Sequence, residues 1–500
     1  MPLLKRNIPL HPSNHLPLSL SRKTYDVIVL GSGPAGRRLA SLTASAKLGT
    51  VIVENELFGG DCPFWACIPS KALLRPNEAL GAGRQMGGSK QMIQECTPDG
   101  STIDVQGVFK RRDGIVQGWD DTILLNLSLD QGVDVVRGQG KLTGVKKVEV
   151  TNLDGNQVVL EATQAVVLAT GSEATIPKIE GLDQIDWWTS REATAANFVP
   201  EHLVILGGGV IGCEMATFYG SLGKRVTLIS SSKRLLPRCE PEASELVKKS
   251  LTALGVEVCL STAIDKLSKV DKDKFKADLA SGDHLTGSVL LLATGRRAST
   301  QDLGLEDLGV KVHPKLEVSE SLCVATATGK WLYAIGDANG RNPMTHMGVY
   351  QARTAGLAII ARSRKMALVE EPFNDFSATA DHEMVPQIIF TDPHVAMVGL
   401  TAAQAEAKGL NAKIVAVPFM FPGAFVHAEL NYEGWAQWVI DEDTKILVGA
   451  TIVGREAGDL LHASTVAIVG RIPVPKLWHA VASFPSMSEV YTALLMASGY

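Results

Sequence analysis

The chain has 500 residues, of which 45% are hydrophobic and 20% charged, and its formal net charge is −5 at pH 7. This composition is typical of a globular protein with about three domains. The charge balance disfavours a nucleic acid partner. The sequence contains no run of about eighteen apolar residues, so no membrane span is expected. Seven cysteines are too few for a disulfide framework in a chain of this length, so we expect a reducing, cytoplasmic location.

Residues 1–23 precede the first predicted strand. They include Lys5, Arg6, Arg22 and Lys23 and contain no acidic residue, a pattern that resembles a weak mitochondrial transit peptide. The four prolines of this segment disfavour an amphipathic helix. We therefore expect a disordered tail, with a mitochondrial location as the less favoured alternative.

The first predicted elements alternate between strand and helix. An apolar strand over Tyr25–Leu30 is followed by glycines and by a helix over Arg37–Ala46, and a second buried strand covers Gly49–Glu54. This order predicts the start of a parallel sheet. Residues 84–120 are polar and poorly periodic and predict a loop or a helical excursion, and Lys146–Leu160 alternates like an antiparallel ribbon.

The turn after the first strand has the form GxGxxG, with its glycines at Gly31, Gly33 and Gly36. Glycines here let the backbone approach a pyrophosphate, and the helix N-terminus that follows attracts its negative charge. Glu54, at the end of the second strand, is placed to accept hydrogen bonds from ribose hydroxyls. We therefore predict a dinucleotide site and not merely a turn that needs glycine for steric reasons.

The same pattern then starts again. The strand His202–Leu206 precedes a second turn of this form, with its glycines at Gly207, Gly209 and Gly212. The two units also share a buried strand that ends in an Ala-Thr-Gly turn, at Gly171 in the first unit and at Gly295 in the second. The chain therefore contains two copies of one dinucleotide-binding unit.

The second unit differs from the first in the residue that would face the ribose. Ser230 stands where the first unit has Glu54, and Lys233 and Arg234 follow it. A carboxylate would repel a 2′-phosphate, whereas hydroxyls and two cations suit one. This favours NADPH over NADH, and a solvated basic loop is the alternative.

Cys62 and Cys67 form a C-x4-C pair near a predicted helix start. A helix N-terminus favours the thiolate, which is the reactive form of cysteine. Zinc would need two more ligands at suitable spacing, and none is evident nearby. A structural disulfide is disfavoured by the reducing location, so a redox-active pair is the favoured interpretation.

These motifs together resemble the class I pyridine nucleotide-disulfide oxidoreductases, which include glutathione reductase, dihydrolipoamide dehydrogenase and mercuric reductase. The resemblance extends from about residue 24 to the C-terminus. It depends on both glycine turns, both Ala-Thr-Gly turns, the segment from Gly59 to Lys71, Gly336-Asp337, and the Phe390–Pro393 segment.

The resemblance implies a role for each matching residue. Cys67 would stack on the flavin of FAD as a thiolate, and Cys62 would exchange with the substrate. Lys71 and Glu214 would form an ion pair beside the reactive nitrogen of the flavin, where a cation stabilises negative charge on the reduced ring. Gly336 and Asp337 would contact the flavin side chain, and the active site would be built across a homodimer.

The chain departs from the family near its C-terminus. The family motif H-P-x-x-S-E is represented by Phe484–Glu489, so phenylalanine replaces the histidine that shuttles protons to the partner subunit's cysteines. General acid–base help is typically worth roughly 10²–10⁴-fold, so exchange with glutathione-like or lipoyl-like substrates is in doubt. His479 is poorly placed to substitute, and Glu489 is either a catalytic residue or a structural remnant. The last cysteine is Cys323, which disfavours mercury reduction through a C-terminal cysteine pair.

The fold class predicted is α/β, with two Rossmann-like dinucleotide-binding domains and a C-terminal α+β dimerisation domain. The predicted boundaries are 24–180 with 296–380 for FAD, 181–295 for NAD(P), and 385–500 for dimerisation. Phe64 and Trp65, inside the cysteine loop, indicate either a flat or apolar substrate or tight packing, and packing is favoured.

The function predicted is hydride transfer from NAD(P)H through FAD to Cys62–Cys67 and on to a small-molecule disulfide or dithiol. One alternative is a quinone or other electron-acceptor reductase in which the flavin acts directly. Another is a non-catalytic flavoprotein that senses redox state or binds a partner. No metal site is expected.

Overall fold

The computed structural model of the protein describes residues 8–11, 20, 22–96 and 103–500. The disordered tail predicted over residues 1–23 falls largely on residues 1–7, 12–19 and 21, which lie outside the described residues. Within the described part of the chain, no helix is long and apolar enough to cross a membrane.

The first domain is built on a seven-stranded sheet in the order β3-β2-β1-β6-β5-β4, with β17 beside β6. Its central strands are parallel and fully buried, because runs of valine and isoleucine such as Val27–Val29 are covered on both faces. The elements up to the domain junction are β1 (Thr24–Leu30), α1 (Pro34–Ser45), β2 (Thr50–Glu54), α2 (Asp61–Phe64), α3 (Cys67–Gln85), α4 (Ser89–Cys96), α5 (Val105–Ile115), α6 (Thr122–Asp130), β3 (Asp134–Arg137), β4 (Gln139–Gly144), β5 (Lys147–Thr151), β6 (Gln157–Leu168) and β7 (Ser172–Ala174).

The second domain repeats this design with a parallel sheet in the order β11-β10-β9-β15-β8 and a three-stranded antiparallel sheet, β12-β13-β14. The chain returns to the first domain through β16, which pairs with β7, and β17, which joins the first sheet. The elements of the second domain and of the return to the first domain are, in chain order, β8 (Trp187–Trp188), α7 (Ser190–Ala195), β9 (His202–Leu206), α8 (Val210–Ser221), β10 (Arg225–Ile229), α9 (Pro241–Ala253), β11 (Glu257–Cys259), β12 (Ile264–Lys269), β13 (Phe275–Leu279), β14 (His284–Gly287), β15 (Val289–Leu292), β16 (Arg296–Ala298), β17 (Leu332–Ala334) and α10 (Thr345–Ser363).

The third domain is a five-stranded antiparallel sheet in the order β18-β19-β22-β21-β20, with helices packed against it. The elements are β18 (Gln387–Ile389), β19 (Val395–Gly399), α11 (Ala402–Ala407), β20 (Ala412–Pro418), α12 (Pro422–His427), β21 (Trp435–Asp441), β22 (Ile446–Val453), α13 (Ala457–Val469), α14 (Val474–Leu477) and α15 (Glu489–Ser498). The predicted fold class, two Rossmann-like units and a C-terminal α+β domain, is confirmed, and the domain boundaries stay a prediction.

The structure shows which elements form in two stretches that the sequence described only roughly, residues 84–120 and residues 146–160. In the predicted loop or helical excursion, α4 and α5 are helices, and α5 packs on α3 through buried residues such as Val108 and Phe109. The predicted antiparallel ribbon is the pairing of β5 with β6.

Residues 8–11 differ from the disordered tail predicted for this part of the chain. Ile8 and Leu10 pack against a buried cluster that includes Phe64, Trp65 and Trp119. The imidazole Nδ1 of His11 lies 2.8 Å from the backbone oxygen of Asn55. This short segment therefore contacts the folded domain, because its two apolar side chains find an apolar surface there.

Candidate active site

The first glycine turn leaves no room for side chains except at one position. A Cβ atom at Gly31, where φ is +104°, would collide with the backbone oxygen of Ala169, and one at Gly36 would collide with the oxygen of Gly31. A Cβ at Gly33 would meet nothing within 4 Å. The turn thus packs tightly on the sheet and opens at Gly33, where a pyrophosphate would approach the backbone.

Glu54 is held at the mouth of this turn by hydrogen bonds to both of its carboxylate oxygens. Oε2 accepts from the backbone nitrogen (2.8 Å) and the hydroxyl (2.6 Å) of Ser32, and Oε1 accepts from the backbone nitrogen of Glu56 (2.8 Å). Each oxygen of a carboxylate has two lone pairs, so Oε1 keeps acceptor capacity for a ribose hydroxyl. This geometry fits the predicted adenosine end of FAD.

The second turn repeats the geometry of the first. A Cβ at Gly207 would collide with the backbone oxygen of Ala293, one at Gly212 would collide with the oxygen of Gly207, and one at Gly209 would meet nothing within 4 Å. The space around Gly171 and Gly295, at the ends of the two Ala-Thr-Gly turns, is open as well. Both units therefore fit a dinucleotide.

The residues that would choose between NADPH and NADH lie at the end of β10. Ser230 is buried, and its hydroxyl lies 3.3 Å from the backbone nitrogen of Ser232. One guanidinium nitrogen of Arg234 donates to the backbone oxygens of Pro237 (2.9 Å) and Cys239 (3.0 Å). Lys233 is exposed and, with Arg234, lines a pocket of about 380 Å³. The preference for NADPH stays a prediction, because part of the Arg234 guanidinium is already used.

Cys62 and Cys67 are free thiols, half-buried, and α3 begins at Cys67. The thiol of Cys67 lies 3.2 Å from the hydroxyl of Thr345 at the start of α10. A hydrogen bond from Cys62 lowers the pKa of Cys67, and Thr345 and Lys71 lower it further, although burial opposes them. The same hydrogen bond and burial raise the pKa of Cys62. These contacts favour the thiolate on Cys67 over the thiolate on Cys62 in the reduced pair.

Lys71 and Glu214 meet across the boundary between the two nucleotide domains. The ammonium nitrogen of Lys71 lies 3.1 Å and 2.8 Å from the two carboxylate oxygens of Glu214, whose side chain is 5% exposed. Glu214 also accepts a hydrogen bond from the backbone nitrogen of Phe390 (3.0 Å), and the Lys71 ammonium sits 4.7 Å from the centre of the Phe390 ring. The pair is thus fixed by all three domains.

The two aromatic residues in the cysteine loop are packed inside the protein. Phe64 is 2% exposed and Trp65 is 5% exposed. Their backbone oxygens accept hydrogen bonds from the indole of Trp119 (3.1 Å) and the hydroxyl of Thr194 (2.9 Å), respectively. Of the two interpretations that the sequence allowed, tight packing agrees with this arrangement.

Gly336 and Asp337 follow β17 at the edge of the first sheet. The backbone nitrogen of Gly336 donates to the side-chain oxygen of Gln351 (2.8 Å), and one oxygen of Asp337 accepts from the hydroxyl of Ser172 (2.5 Å). Asp337 is thereby held close to the Ala-Thr-Gly turn of the first unit. The proposed contact with the flavin side chain would use its remaining acceptor capacity.

The C-terminal segment lies on the surface of the third domain. Phe484 is 74% exposed. One oxygen of Glu489 accepts from the backbone nitrogens of Gly423 (2.9 Å) and Ser486 (3.0 Å), so this carboxylate holds its own segment in place. His427 lies beside this segment, with Nε2 3.4 Å from the backbone oxygen of Pro485.

Sequence reasoning missed three features of the site: the Thr345 hydroxyl near Cys67, His427 near Pro485, and the ion pairs of Asp61 with Arg191 and Arg296. Each joins residues that are far apart in the chain. Only Asp61, as an acidic residue directly before a redox cysteine, carried a local signal.

Two dinucleotide sites joined at a dithiol define an FAD-dependent oxidoreductase that uses a nicotinamide cofactor. The family described as pyridine nucleotide-disulphide oxidoreductase matches residues 25–356, and its dimerisation domain matches residues 385–495. The chain belongs to this family, whose members use FAD and NAD(P)H.

Relatives of known activity agree with this assignment, and a solved structure has a similar fold. The chain is 29% identical over 469 residues to a mercuric reductase of Staphylococcus aureus, a match that covers 93% of this chain and 81% of the relative. It is 31% identical over 475 residues to a dihydrolipoyl dehydrogenase of Chlorobaculum parvum, covering 94% and 96%. The flavoprotein disulfide reductase RclA of Escherichia coli, induced by HOCl, has a similar fold, with a TM-score of 0.78 at 23% identity over 94% of this chain and 99% of RclA.

Proposed function

We propose that this protein uses NAD(P)H to reduce the Cys62–Cys67 disulfide and passes the electrons to a small-molecule disulfide, or runs the same chemistry in reverse with a dithiol. FAD bound between the first glycine turn and Asp337 would supply the step that converts a hydride into an electron pair for the disulfide. The observation that carries the proposal is the Cys67 thiol, which lies at the start of α3 beside Thr345 and is hydrogen-bonded by Cys62.

Cys67 and Cys62 have different parts in this chemistry. Two electrons and one proton convert the disulfide into a Cys67 thiolate and a Cys62 thiol, because the pKa of Cys67 is lowered and that of Cys62 is raised. The ammonium of Lys71, held by Glu214, adds a fixed positive charge that favours the Cys67 thiolate. Cys62 then attacks one sulfur of the substrate disulfide, and its proton goes to the thiolate that leaves. The Cys67 thiolate next attacks the Cys62 sulfur, which restores the Cys62–Cys67 disulfide and releases the second substrate thiolate.

The absence of a histidine at position 484 narrows the class of substrate. Phe484 transfers no proton, so the leaving thiol of the substrate must depart without help from that position. Thiols of low pKa leave faster than thiols of high pKa. We therefore propose a disulfide whose thiols are more acidic than those of glutathione or dihydrolipoamide.

Three further assignments belong to this proposal. The cations Lys233 and Arg234 support NADPH over NADH. The match to a dimerisation domain supports a homodimer. The cysteine usage supports a cytoplasmic location.

The second candidate is an NAD(P)H-dependent quinone or other electron-acceptor reductase in which the flavin acts directly. Phe484 favours it, because such an acceptor needs no proton relay at that position. It predicts that Cys62→Ala keeps its turnover with quinones. The third hypothesis, a non-catalytic flavoprotein, is disfavoured because the Lys71–Glu214 ion pair expected beside the flavin is intact.

The experiment is an anaerobic NADPH titration of the purified holoenzyme, followed by its visible spectrum, for wild type and Cys67→Ser. We expect wild type to take up two hydride equivalents and to develop a long-wavelength band that Cys67→Ser lacks. Cys259→Ser is the matched control, because Cys259 is also partly buried but lies at the end of β11 in the second domain, and it should behave as wild type. Uptake of one equivalent by wild type would reject the proposal and favour the quinone-type reading.

A further inference from the structure

Asp61, directly before Cys62, is held by two arginines. Its Oδ1 lies 2.7 Å from Nη2 of Arg191 in α7, and its Oδ2 lies 2.7 Å from Nη2 of Arg296 in β16. All three side chains are largely shielded from solvent, with exposures of 25% for Asp61, 37% for Arg191 and 24% for Arg296. We call these three residues the charge clamp.

The arginines of the charge clamp are themselves fixed. Nη1 of Arg191 lies 2.9 Å from a carboxylate oxygen of Glu56, and its guanidinium sits 5.6 Å from the centre of the Trp65 ring. Nε of Arg296 donates to the hydroxyl of Ser172 (2.8 Å). The clamp therefore ties the cysteine loop to elements that flank the second nucleotide domain, and its charges are held in place.

Asp61 also controls the shape of the loop through its backbone. Its carbonyl oxygen accepts hydrogen bonds from the backbone nitrogens of Trp65 (2.7 Å) and Ala66 (2.8 Å). Ala66 precedes Cys67, so Asp61 touches both ends of the segment that separates the two sulfur atoms. A shift of Asp61 would move Cys62 and Cys67 relative to each other.

We propose that the charge clamp sets how readily the Cys62–Cys67 disulfide is reduced, with Asp61 as the positioning residue. The proposal rests on the function proposed above, in which this pair is redox-active. Reduction adds two electrons and one proton and leaves one thiolate, so a nearby positive charge favours the reduced pair and a negative charge the oxidised pair. The carboxylate of Asp61 offsets part of the positive charge of Arg191 and Arg296. A positive charge does act on this pair, because Arg37 lies close enough to Cys62 to lower the pKa of its thiol.

Opposite changes of charge should therefore shift the equilibrium in opposite directions. Asp61→Asn removes the negative charge beside the two arginines and should raise the ratio of dithiol to disulfide about threefold. Arg191→Gln removes a positive charge beside Asp61 and Glu56 and should lower the ratio of dithiol to disulfide about threefold. For a two-electron couple a tenfold change corresponds to about 30 mV, so each shift is about 14 mV. The double variant should return close to wild type.

The test equilibrates each FAD-loaded variant with mixtures of oxidised and reduced dithiothreitol and counts the free thiols of the Cys62–Cys67 pair by alkylation and mass spectrometry. The matched control is the ion pair of Arg297 with Glu173, whose charged atoms are 3.0 Å apart and whose side chains are half-exposed. Arg297 directly follows Arg296 in β16, and Glu173 directly follows Ser172 in β7. Glu173→Gln and Arg297→Gln make the same charge changes and should leave the equilibrium unchanged.

The outcomes separate the clamp from the function on which it rests. Shifts of opposite sign in Asp61→Asn and Arg191→Gln, absent from the controls, support the clamp. Shifts of the same sign, or none, overturn it, because loss of structure alone would move both variants in one direction. If Asp61→Asn does not fold, Arg191→Gln is compared with Arg191→Lys, which keeps the charge and should stay close to wild type; an equal shift in both variants overturns the clamp. A wild-type pair that never takes up two electrons would instead reject the proposed function.

Discussion

The cysteine loop at residues 61–67 and the C-terminal segment at residues 483–489 differ in how the chain holds them. In the loop, Phe64 and Trp65 are buried and the Asp61 carboxylate has two charged partners. In the segment, Phe484 is 74% exposed within the single chain, and the Glu489 carboxylate accepts from the backbone nitrogens of Ser486 and of Gly423 in α12. The loop is held by buried aromatic side chains and by ion pairs with distant elements, whereas the segment is held by Glu489 and the buried Met487 and leaves Phe484 uncovered within the single chain.

The largest expected effect compares an aromatic residue from each region. Trp65→Ala should lower the free energy of unfolding by about 3–5 kcal/mol, because it empties a buried aromatic site. Phe484→Ala should change the free energy of unfolding of the single chain by less than about 1 kcal/mol, because within one chain this side chain is exposed. The shift of the urea unfolding midpoint of the FAD-loaded protein measures both. Equal shifts would show that the segment is as tightly packed as the loop.

The next effect concerns activity at the outward-facing segment. Phe484→His should raise kcat/KM for reduction of a lipoyl-type disulfide by roughly 10–100-fold, below the ~10²–10⁴-fold of an optimised base. The rate at which NADPH reduces the protein should stay the same, because the loop is untouched. Stopped-flow absorbance separates the two rates.

The matched control for this gain is Val481→His, which adds the same imidazole three residues earlier at a position that is 87% exposed. It should leave both rates unchanged. An equal gain in Phe484→His and Val481→His would mean that any surface imidazole helps, and that position 484 has no special place in the site.

The smallest expected effect is a shift of the pH at which Cys67 reacts with an alkylating reagent. In the reduced protein, alkylation of Cys67 by iodoacetamide should begin well below the ~8.5 of an ordinary thiol, because its pKa is lowered first by Cys62 and then by Thr345 and Lys71. Cys259 in the same sample should react only at more alkaline pH, because burial raises its pKa. Peptide mass spectrometry at a series of pH values reads both.

The same shift has a consequence for stability. A group whose pKa is lowered by folding stabilises the reduced protein fully above its unfolded pKa, and this contribution is lost as the pH falls through the folded pKa. Cys62→Ala should move the Cys67 profile to higher pH, since the hydrogen bond from Cys62 is the largest cause of the shift. An unchanged profile in Cys62→Ala would assign the lowering to the helix start and Lys71 instead.

The sequence predicted best what is encoded locally. The first strand, expected over Tyr25–Leu30, is found at Thr24–Leu30, and both glycine turns have the backbone that their motif requires, because a GxGxxG turn needs only its neighbouring strand and helix. The pairing of Lys71 with Glu214, 143 residues apart, was expected only through the family resemblance.

The remaining features depend on tertiary packing. Arg191 and Arg296 are 130 and 235 residues from Asp61, and nothing in the local sequence of either arginine indicates its partner. For Phe64 and Trp65 the sequence favoured a packed position but left a substrate surface open, since hydrophobicity alone does not say which side of a loop is covered. Residues 8–11 lie within a charged segment that contains four prolines, and the sequence gave no sign of the apolar surface that Ile8 and Leu10 contact.

That short contact matters for how the protein is prepared. Ile8 and Leu10 lie on the same cluster as Phe64 and Trp119, and the indole of Trp119 holds the backbone of Phe64 inside the cysteine loop. A recombinant chain trimmed to begin at its first strand would leave this cluster open to water on one side. Purification tags are therefore better fused without removing residues 8–11, and tryptophan fluorescence offers a quick check that the cluster is still covered.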